Sequence, residues 1–375
     1  SFDTPPSFDT LANSSTGSTS AIIQVIASSP SAATNWSLSH GVRSPTSSAH
    51  RAGSARTSTG NPAAAASSDV TLTARPRALA AGRRGTGAAG RYVADVGLAL
   101  TTDQVDHFTQ HGWVAPVRVM SVDAAHELRE RLEREEQRLG GPLSGAMLQK
   151  SHLVYSWLAD LVFNDTVLDA VEDLYGSDLL CWSSTLFAKE ANTASFVSWH
   201  QDSTYWGLSR PDVVTAWCAL TASNRTNGAL EVVSGTHLLD QLPHHDTFAP
   251  ENLLSRGQEI AVDIGDATPT MIELEPGEIS LHHVRLVHGS APNTSGQRRI
   301  GFAMRFIPAS VAQLVGDRDS ATLVRGVDRF GHFDHEPRAT VDRDPAMTAL
   351  HEQVTNASAQ RLYRGTGVTS FTRDG

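Results

Sequence analysis

The spacing of hydrophobic positions changes along the chain. Between residues 101 and 176 apolar side chains recur at helical intervals. Val105 and Phe108 share a face of a segment with Thr102 as N-cap and Asp103 in its first turn, and Gly112 ends it. Residues 113–119 read as a short strand, and Pro116, which has no N–H to donate, places it at a sheet edge. Ser121 or Asp123 caps a second helix running to Leu139. Its Leu128, Leu132 and Leu139 follow helical spacing, and the charges from Glu130 to Arg138 form a solvated face. Gly140-Gly141-Pro142 stops it, and two further helical patterns cover 152–163 and 166–175, ending at Gly176.

From residue 179 the period shortens. Strand-like runs lie at 180–189, 196–202, 213–222, 229–233, 259–264, 271–274, 278–284 and 299–307, punctuated by Gly, Pro and Asn clusters. Many short strands behind a helical layer predict a mainly β fold with flanking helices, a sandwich or barrel core with helices packed outside. No internal repeat is visible. From Asp317 onward the chain is polar and rich in Asp, Arg and His, and only 345–363 reads as an element, a last helix.

Composition separates the first 92 residues from the rest. They are rich in Ser, Thr, Ala, Gly and Pro, and carry Arg but no Lys and no Glu. Apart from Ala21-Ile22-Ile23-Gln24-Val25-Ile26 they have almost nothing to bury, so they cannot offset their ordering entropy and are expected to be disordered. A transit peptide and a flexible tail are two readings. The favoured one is translated GC-rich DNA upstream of the true start, because no Met precedes Met120 and a start at Val93 or Val96 would open just before the first organised segment. One domain over 93–375 is then expected.

The net charge of −10 argues against a nucleic-acid or anionic-membrane surface, both of which demand a basic field. Two cysteines, Cys181 and Cys218, lie in apolar strand-like runs, which implies buried reduced thiols in a cytoplasmic protein and no disulfide framework. No run reaches the roughly 20 apolar residues of a membrane span.

His200 and Asp202 carry the chemistry. Two apart on a strand, they point to the same face and offer an imidazole nitrogen and a carboxylate oxygen side by side, half of a metal site. With 16 histidines in the chain, such a pair also arises by chance. A third ligand could come from His237, His244, His245, His282, His283 or His288. His288 ends an apolar run before a small-residue turn, which suits an imidazole at a strand end. On one extended strand His282 would lie about 20 Å from it, so both can ligate one ion only if the chain folds back. Equal parity still lets His282 line a cavity leading to the metal. His244 and His245, in a Pro-flanked polar loop, read as hydrogen-bonded structural residues. Two histidines and one carboxylate leave open positions on one side of a divalent metal, the arrangement of non-heme Fe(II) oxygenases. Arg299 adds a fixed fork for a carboxylate, although a surface pair with Arg298 is the alternative.

Three blocks complete the picture: Ser198-Trp199-His200-Gln201-Asp202-Ser203-Thr204-Tyr205-Trp206; Asn227-Gly228-Ala229-Leu230 with Ser234-Gly235-Thr236-His237; and His288-Gly289-Ser290-Ala291-Pro292-Asn293 through Arg298-Arg299. In order and spacing they resemble the phytanoyl-CoA dioxygenase family of Fe(II)- and 2-oxoglutarate-dependent oxygenases, over roughly residues 98–307. The resemblance implies a double-stranded β-helix, or jelly-roll, core with helices on one side. It implies iron on His200, Asp202 and His288, and Arg299 gripping the distal carboxylate of 2-oxoglutarate. Trp217 and Ser290 match positions that help hold that co-substrate, Asn293 matches a turn residue supporting the site, and Gln149 or Lys150 is a looser match. O2 is the second co-substrate.

Halogenating members of the family have Ala or Gly where the ligand carboxylate should stand. With Asp202 in place, the resemblance implies hydroxylation of a small molecule, with 2-oxoglutarate decarboxylated to succinate and CO2. Phe187, Tyr205, Trp206 and Trp217 are candidates to wall a pocket, with core packing as the alternative, and Arg305 shares parity with Arg299, facing an acidic substrate or a surface ion pair. No basic cluster marks a coenzyme A phosphate site. Two other readings are a metal-binding sensor on the same fold, against which Arg299 speaks, and a cupin-like isomerase, which would usually bring more His and a Glu ligand. The sequence does not specify an oligomeric state.

Overall fold

The computed structural model describes residues 97–261 and 267–371. The described residues all lie within one compact unit of the chain, Thr86–Gly375. The expectation of disorder for residues 1–92, and the end of the strand expected at 259–264, lie outside the described residues.

The helical layer follows the sequence pattern closely. Helix α1 (Thr102–His111) is capped by Thr101, one residue earlier than expected, because Gln104 completes a reciprocal capping box with it. Strand β1 (Trp113–Arg118) follows, then α2 (Val122–Leu139) under the Ser121 cap, α3 (Ser156–Val162) and α4 (Asp165–Tyr175) under the Asn164 cap. The expected 152–163 helix is shortened because residues 151–153 form a single tight turn.

The strands are β2 (Leu179–Lys189), β3 (Val197–His200), β4 (Val214–Ala219), β5 (Leu230–Val233), β6 (His244–Asp246), β7 (Gln258–Ile260), β8 (Thr270–Ile272), β9 (Glu278–His283), β10 (Val287–Ser290), β11 (Arg299–Pro308), β12 (Ser320–Arg325) and β13 (Asp334–His335), and α5 (Pro345–Leu362) closes the order. A seven-stranded sheet runs β1-β9-β4-β11-β2-β12-β13, a four-stranded one β3-β10-β5-β8, and β6-β7 form a separate pair. The two larger sheets make the jelly-roll core. β1 sits at a sheet edge, as Pro116 requires.

Alternation along the long strands sorts the large sheet into two unlike faces. Ile300, Phe302, Met304 and Phe306 of β11, Val214, Ala216 and Cys218 of β4, and Ile279 and Leu281 of β9 pack against the helices in the main core. Each large aliphatic or aromatic side chain buried there contributes roughly 1.5–3 kcal/mol. Burial pushes the Cys181 and Cys218 thiols up to about 12, so both stay protonated and unpaired. The alternate positions turn toward the small sheet, where Trp217, Ala219 and Ala303 meet Val232, Ile272 and Leu286. On that inner face stand Thr215, Ser280, His282, Arg299 and Arg305, all buried. Charges and hydroxyls on a fully buried strand face are costly unless something is there to meet them.

The polar tail contributes β12 and β13, which the sequence did not single out. β12 joins the large sheet beside β2, and the ammonium of Lys150 is buried against Glu336 just after β13, with a further bond to Ser320 O at 2.9 Å. Among the described residues no helix is long and apolar enough to cross a membrane.

Candidate metal and co-substrate site

β3 and β10 run antiparallel and pair His200 directly with His288. Their rings lie 4.1 Å apart between centroids, and His200 Nε2 is 3.3 Å from Asp202 Oδ1. One ligand atom from each of His200, Asp202 and His288 falls within 4.8 Å of the others, and all three residues are buried. Asp202 does not extend β3, as the strand expected at 196–202 required. The strand stops at His200, and Asp202 opens a 3-10 turn over Asp202–Tyr205, tied by its own N–H to Val284 O at 3.0 Å. Strand parity was therefore the wrong reason for a correct juxtaposition.

Each imidazole is held by its second nitrogen. His200 Nδ1 donates to Ser198 O at 2.9 Å and His288 O at 3.1 Å, and His288 Nδ1 donates to Leu286 O at 2.8 Å. A carbonyl can only accept, so each Nδ1 carries the proton and each Nε2 keeps its lone pair free. Burial above all holds His288 well below the usual imidazole range, which keeps it neutral as a metal ligand must be. Burial pushes the Asp202 carboxyl up, but its contact with the His200 ring and the positive field of Arg305 outweigh it and hold it below the ordinary carboxylate range. Two neutral nitrogens and one anionic oxygen, pinned from behind, fit a divalent cation such as Fe(II).

His282 corrects the extended-strand reading. β9 ends at His283, the chain turns through Val284, Arg285 and Leu286, and β10 enters the opposite sheet. The fold-back brings the His282 ring to 4.9 Å from that of His288. His282 lines the same cavity without belonging to the candidate ligand set, and its Nδ1 has no hydrogen-bond partner among the described residues. Burial lowers its pKa to about 4.

The same cavity, of about 50 Å3, is also lined by Trp217, Ser290 and Arg299. Arg298 and Arg299 part company at the start of β11. Arg298 points outward to Glu136 and Glu190, whereas Arg299 is 3% exposed, so the surface-pair alternative fails. Arg299 Nη1 donates to Gly228 O at 3.0 Å, its Nε has no partner, and its guanidinium lies 4.9 Å from the Trp217 ring. Burial lowers its pKa to about 10, so it stays charged. Ser290 Oγ donates to Gly228 O at 2.7 Å, and Asn293 binds the carbonyls of Lys189, Glu190 and Gln297, fixing the turn between β10 and β11. A buried cation with an unmet N–H, beside a hydroxyl and over an indole, suits one end of a dicarboxylate.

A larger cavity of about 120 Å3 adjoins the first and shares Phe187, Asp202, Leu254 and Arg305 with it. Tyr205 and Trp206 line it, as does Gln149, which accepts from Thr185 at 2.8 Å. Lys150 is turned away to Glu336, and His237, His244 and His245 lie outside both cavities. His237 Nε2 donates to Thr109 O at 3.1 Å, and His244 Nδ1 donates to Leu242 O at 2.8 Å while its Nε2 accepts from Gln201 N–H at 2.9 Å.

Sequence reasoning missed Lys189. It pairs with Arg299 across β2 and β11, is fully buried, and its ammonium reaches Ser290 Oγ and the carbonyls of Ser290 and Ala291. Burial, then the Arg299 charge, lowers its pKa to about 6. A lysine ending an apolar strand, in phase with Thr185 and Phe187, was the available signal.

A jelly-roll holding a buried pair of histidines, a carboxylate and an arginine defines the class of non-heme iron oxygenases. Residues 108–301 match phytanoyl-CoA dioxygenase (PhyH), more than half of the chain, and the chain belongs to that family. It is 28% identical over 175 residues to a probable alpha-ketoglutarate-dependent hypophosphite dioxygenase of Stutzerimonas stutzeri, covering 45% of this chain and 59% of that one. It is 34% identical over 142 residues to a probable phytanoyl-CoA dioxygenase of Caenorhabditis elegans, covering 36% and 45%. The chain thus spans about half the length of these curated relatives. Among solved structures, the non-heme monooxygenase ThoJ in its apo form superposes with a TM-score of 0.62 at 34% identity, over 69% of this chain and 97% of that one.

Proposed function

We propose that residues 93–375 form an Fe(II)- and 2-oxoglutarate-dependent dioxygenase that hydroxylates a C–H bond of a small molecule and releases succinate and CO2. The observation that carries this reading is the placement of His200, Asp202, His288 and Arg299 in one buried cavity. His200, Asp202 and His288 would hold the iron, and Arg299 the far carboxylate of 2-oxoglutarate, with Ser290 and Trp217 beside it. Bound iron would let O2 oxidise 2-oxoglutarate and the substrate together, one oxygen atom entering succinate and the other the hydroxyl group.

The remaining work belongs to the chain's own side chains. The Nδ1 bonds orient both imidazoles before metal arrives, so little rearrangement is needed. Lys189 supports Ser290 by donating to its hydroxyl oxygen and its carbonyl, which holds the hydroxyl beside Arg299. Phe187, Leu254 and Ala303 supply apolar wall around the reacting centre and exclude water. Asp202 favours hydroxylation over chlorination, because its carboxylate takes the position a halide would need. Arg299 also disfavours a sensor without turnover, which has no use for a co-substrate anchor.

Aerobic incubation with Fe(II) and 2-oxoglutarate across a panel of small acyl, amino-acid-like and natural-product substrates, following succinate, tests the reading. Iron-dependent succinate is expected, and Asp202→Ala is expected to abolish hydroxylation. Absence of succinate under every condition, with no binding of 2-oxoglutarate, would overturn the proposal.

A further inference from the structure

Two arginines face inward from β11, Arg299 at 3% and Arg305 at 8% exposure, and in both the Nε has no hydrogen-bond partner among the described residues. The other arginine lining the larger cavity, Arg361, is matched to an acid, Asp319. Taking a guanidinium out of water without a counter-anion is unfavourable. The proposed 2-oxoglutarate accounts for Arg299. Arg305 has the nearby charge of Asp202, but in the reading above that carboxylate belongs to the metal.

Arg305 differs from Arg299 in what it reaches. Arg299 lines only the smaller cavity, whereas Arg305 lines both, at the junction it shares with Phe187, Asp202 and Leu254. Its Nη1 donates to Thr185 Oγ1 at 2.9 Å, and its charge lies 5.2 Å from the Trp206 ring, so the side chain is held in place. Around it the larger cavity is aromatic. Trp182 and Trp206 lie 5.0 Å apart between centroids, Trp182 Nε1 is fixed to Asp319 at 2.8 Å, and the Tyr205 hydroxyl to Asp246 at 2.7 Å. A fixed cation beside the aromatic wall of a mixed chamber suits a ligand with an anionic group on an apolar body.

We infer that Arg305 is a specificity residue that binds a carboxylate of the primary substrate, a small organic acid whose apolar body rests against Trp182, Tyr205 and Trp206. This rests on the oxygenase reading above and adds the class of molecule oxidised. The carboxylate would sit at the junction of the two cavities, which brings the carbons next to it nearest the proposed metal site.

The test uses the full chain loaded anaerobically with Fe(II) and 2-oxoglutarate, titrated with decanoate, phenylacetate and indole-3-acetate and with the primary amide of each, following tryptophan fluorescence. At least one acid is expected to bind roughly ten- to a hundredfold tighter than its amide, the range for a buried charge-assisted contact. Arg305→Gln is expected to erase that preference and Arg305→Lys to keep part of it, with the Fe(II)–2-oxoglutarate charge-transfer absorption retained in both. The inference is overturned if acids and amides bind alike, if no acid binds, or if R305Q keeps the preference. The wild-type comparison decides even where R305Q fails to fold. Absence of the charge-transfer absorption in the wild type would instead overturn the oxygenase reading itself.

Discussion

His200 and His288 stand opposite each other on adjacent antiparallel strands, 88 residues apart in the chain, and the Nδ1 of His200 donates to the carbonyl oxygen of His288. One ladder position thus fixes the spacing of the two imidazoles and the tautomer of one of them. The site is built into the small sheet, and its precision is that of strand pairing.

Arg299→Gln removes the cation at the end of the proposed co-substrate pocket but leaves His200, Asp202 and His288 intact. The KM for 2-oxoglutarate is expected to rise roughly ten- to a hundredfold, with Fe(II) affinity little changed. Arg299→Lys should fall between, because a point charge lacks the planar fork. Steady-state kinetics against 2-oxoglutarate check this, and an unchanged KM in the Gln variant would remove Arg299 from the pocket.

Gly301 lies where β11 passes under Trp217. A Cβ there would sit 1.9 Å from Trp217 Cζ2, so any larger residue must displace the indole that faces Arg299. Gly301→Ala is expected to cost about 1–3 kcal/mol of stability and to weaken 2-oxoglutarate binding as well. Urea unfolding and a 2-oxoglutarate titration would show both effects, and a variant with wild-type binding would mean that Trp217 can move without consequence.

His152 is buried, between Ser184 and Thr322, and burial, then the Lys150 charge, lowers its pKa from 6.5 to about 3. The ring is neutral in the fold and takes a proton in the unfolded chain below about pH 6.5. Stability is therefore full above that pH and falls as pH drops toward 3, at about 1.4 kcal/mol per pH unit for this one group. His283, lowered to about 4 by burial, adds a loss of the same sign. Urea midpoints at pH 7.5 and 5 measure it; His152→Gln should flatten the slope, and a pH-independent midpoint would show that these rings are not held neutral.

How far the sequence could be read follows from the kind of signal each element carries. Caps and heptad-like leucines are local, so α1, α2, α4 and α5 stand within a residue or two of their expected bounds. β12 and β13 were missed because their apolar positions are few and their pairing partners, β2 and each other, are remote. The reversal at Val284, Arg285 and Leu286 carries no Gly or Pro, so an apolar run read as continuous hides a change of sheet. For the same reason His282 was set about 20 Å from a residue it nearly touches. The motif blocks singled out His200, Asp202, His288 and Arg299, which the fold brings to one cavity. Lys189 supports the site without belonging to any block. Arg305's parity was legible, but its position between the two cavities needed the packed structure.

The central claim is that His200, Asp202, His288 and Arg299 form one Fe(II) and 2-oxoglutarate site. Anaerobic addition of 2-oxoglutarate to the Fe(II)-loaded protein, read as visible metal-to-ligand charge-transfer absorption, tests it most directly. The band should appear in the wild type, vanish in Asp202→Ala and His288→Ala, and need more 2-oxoglutarate in Arg299→Gln. No band in the wild type, or an undiminished band in His288→Ala, would contradict the claim.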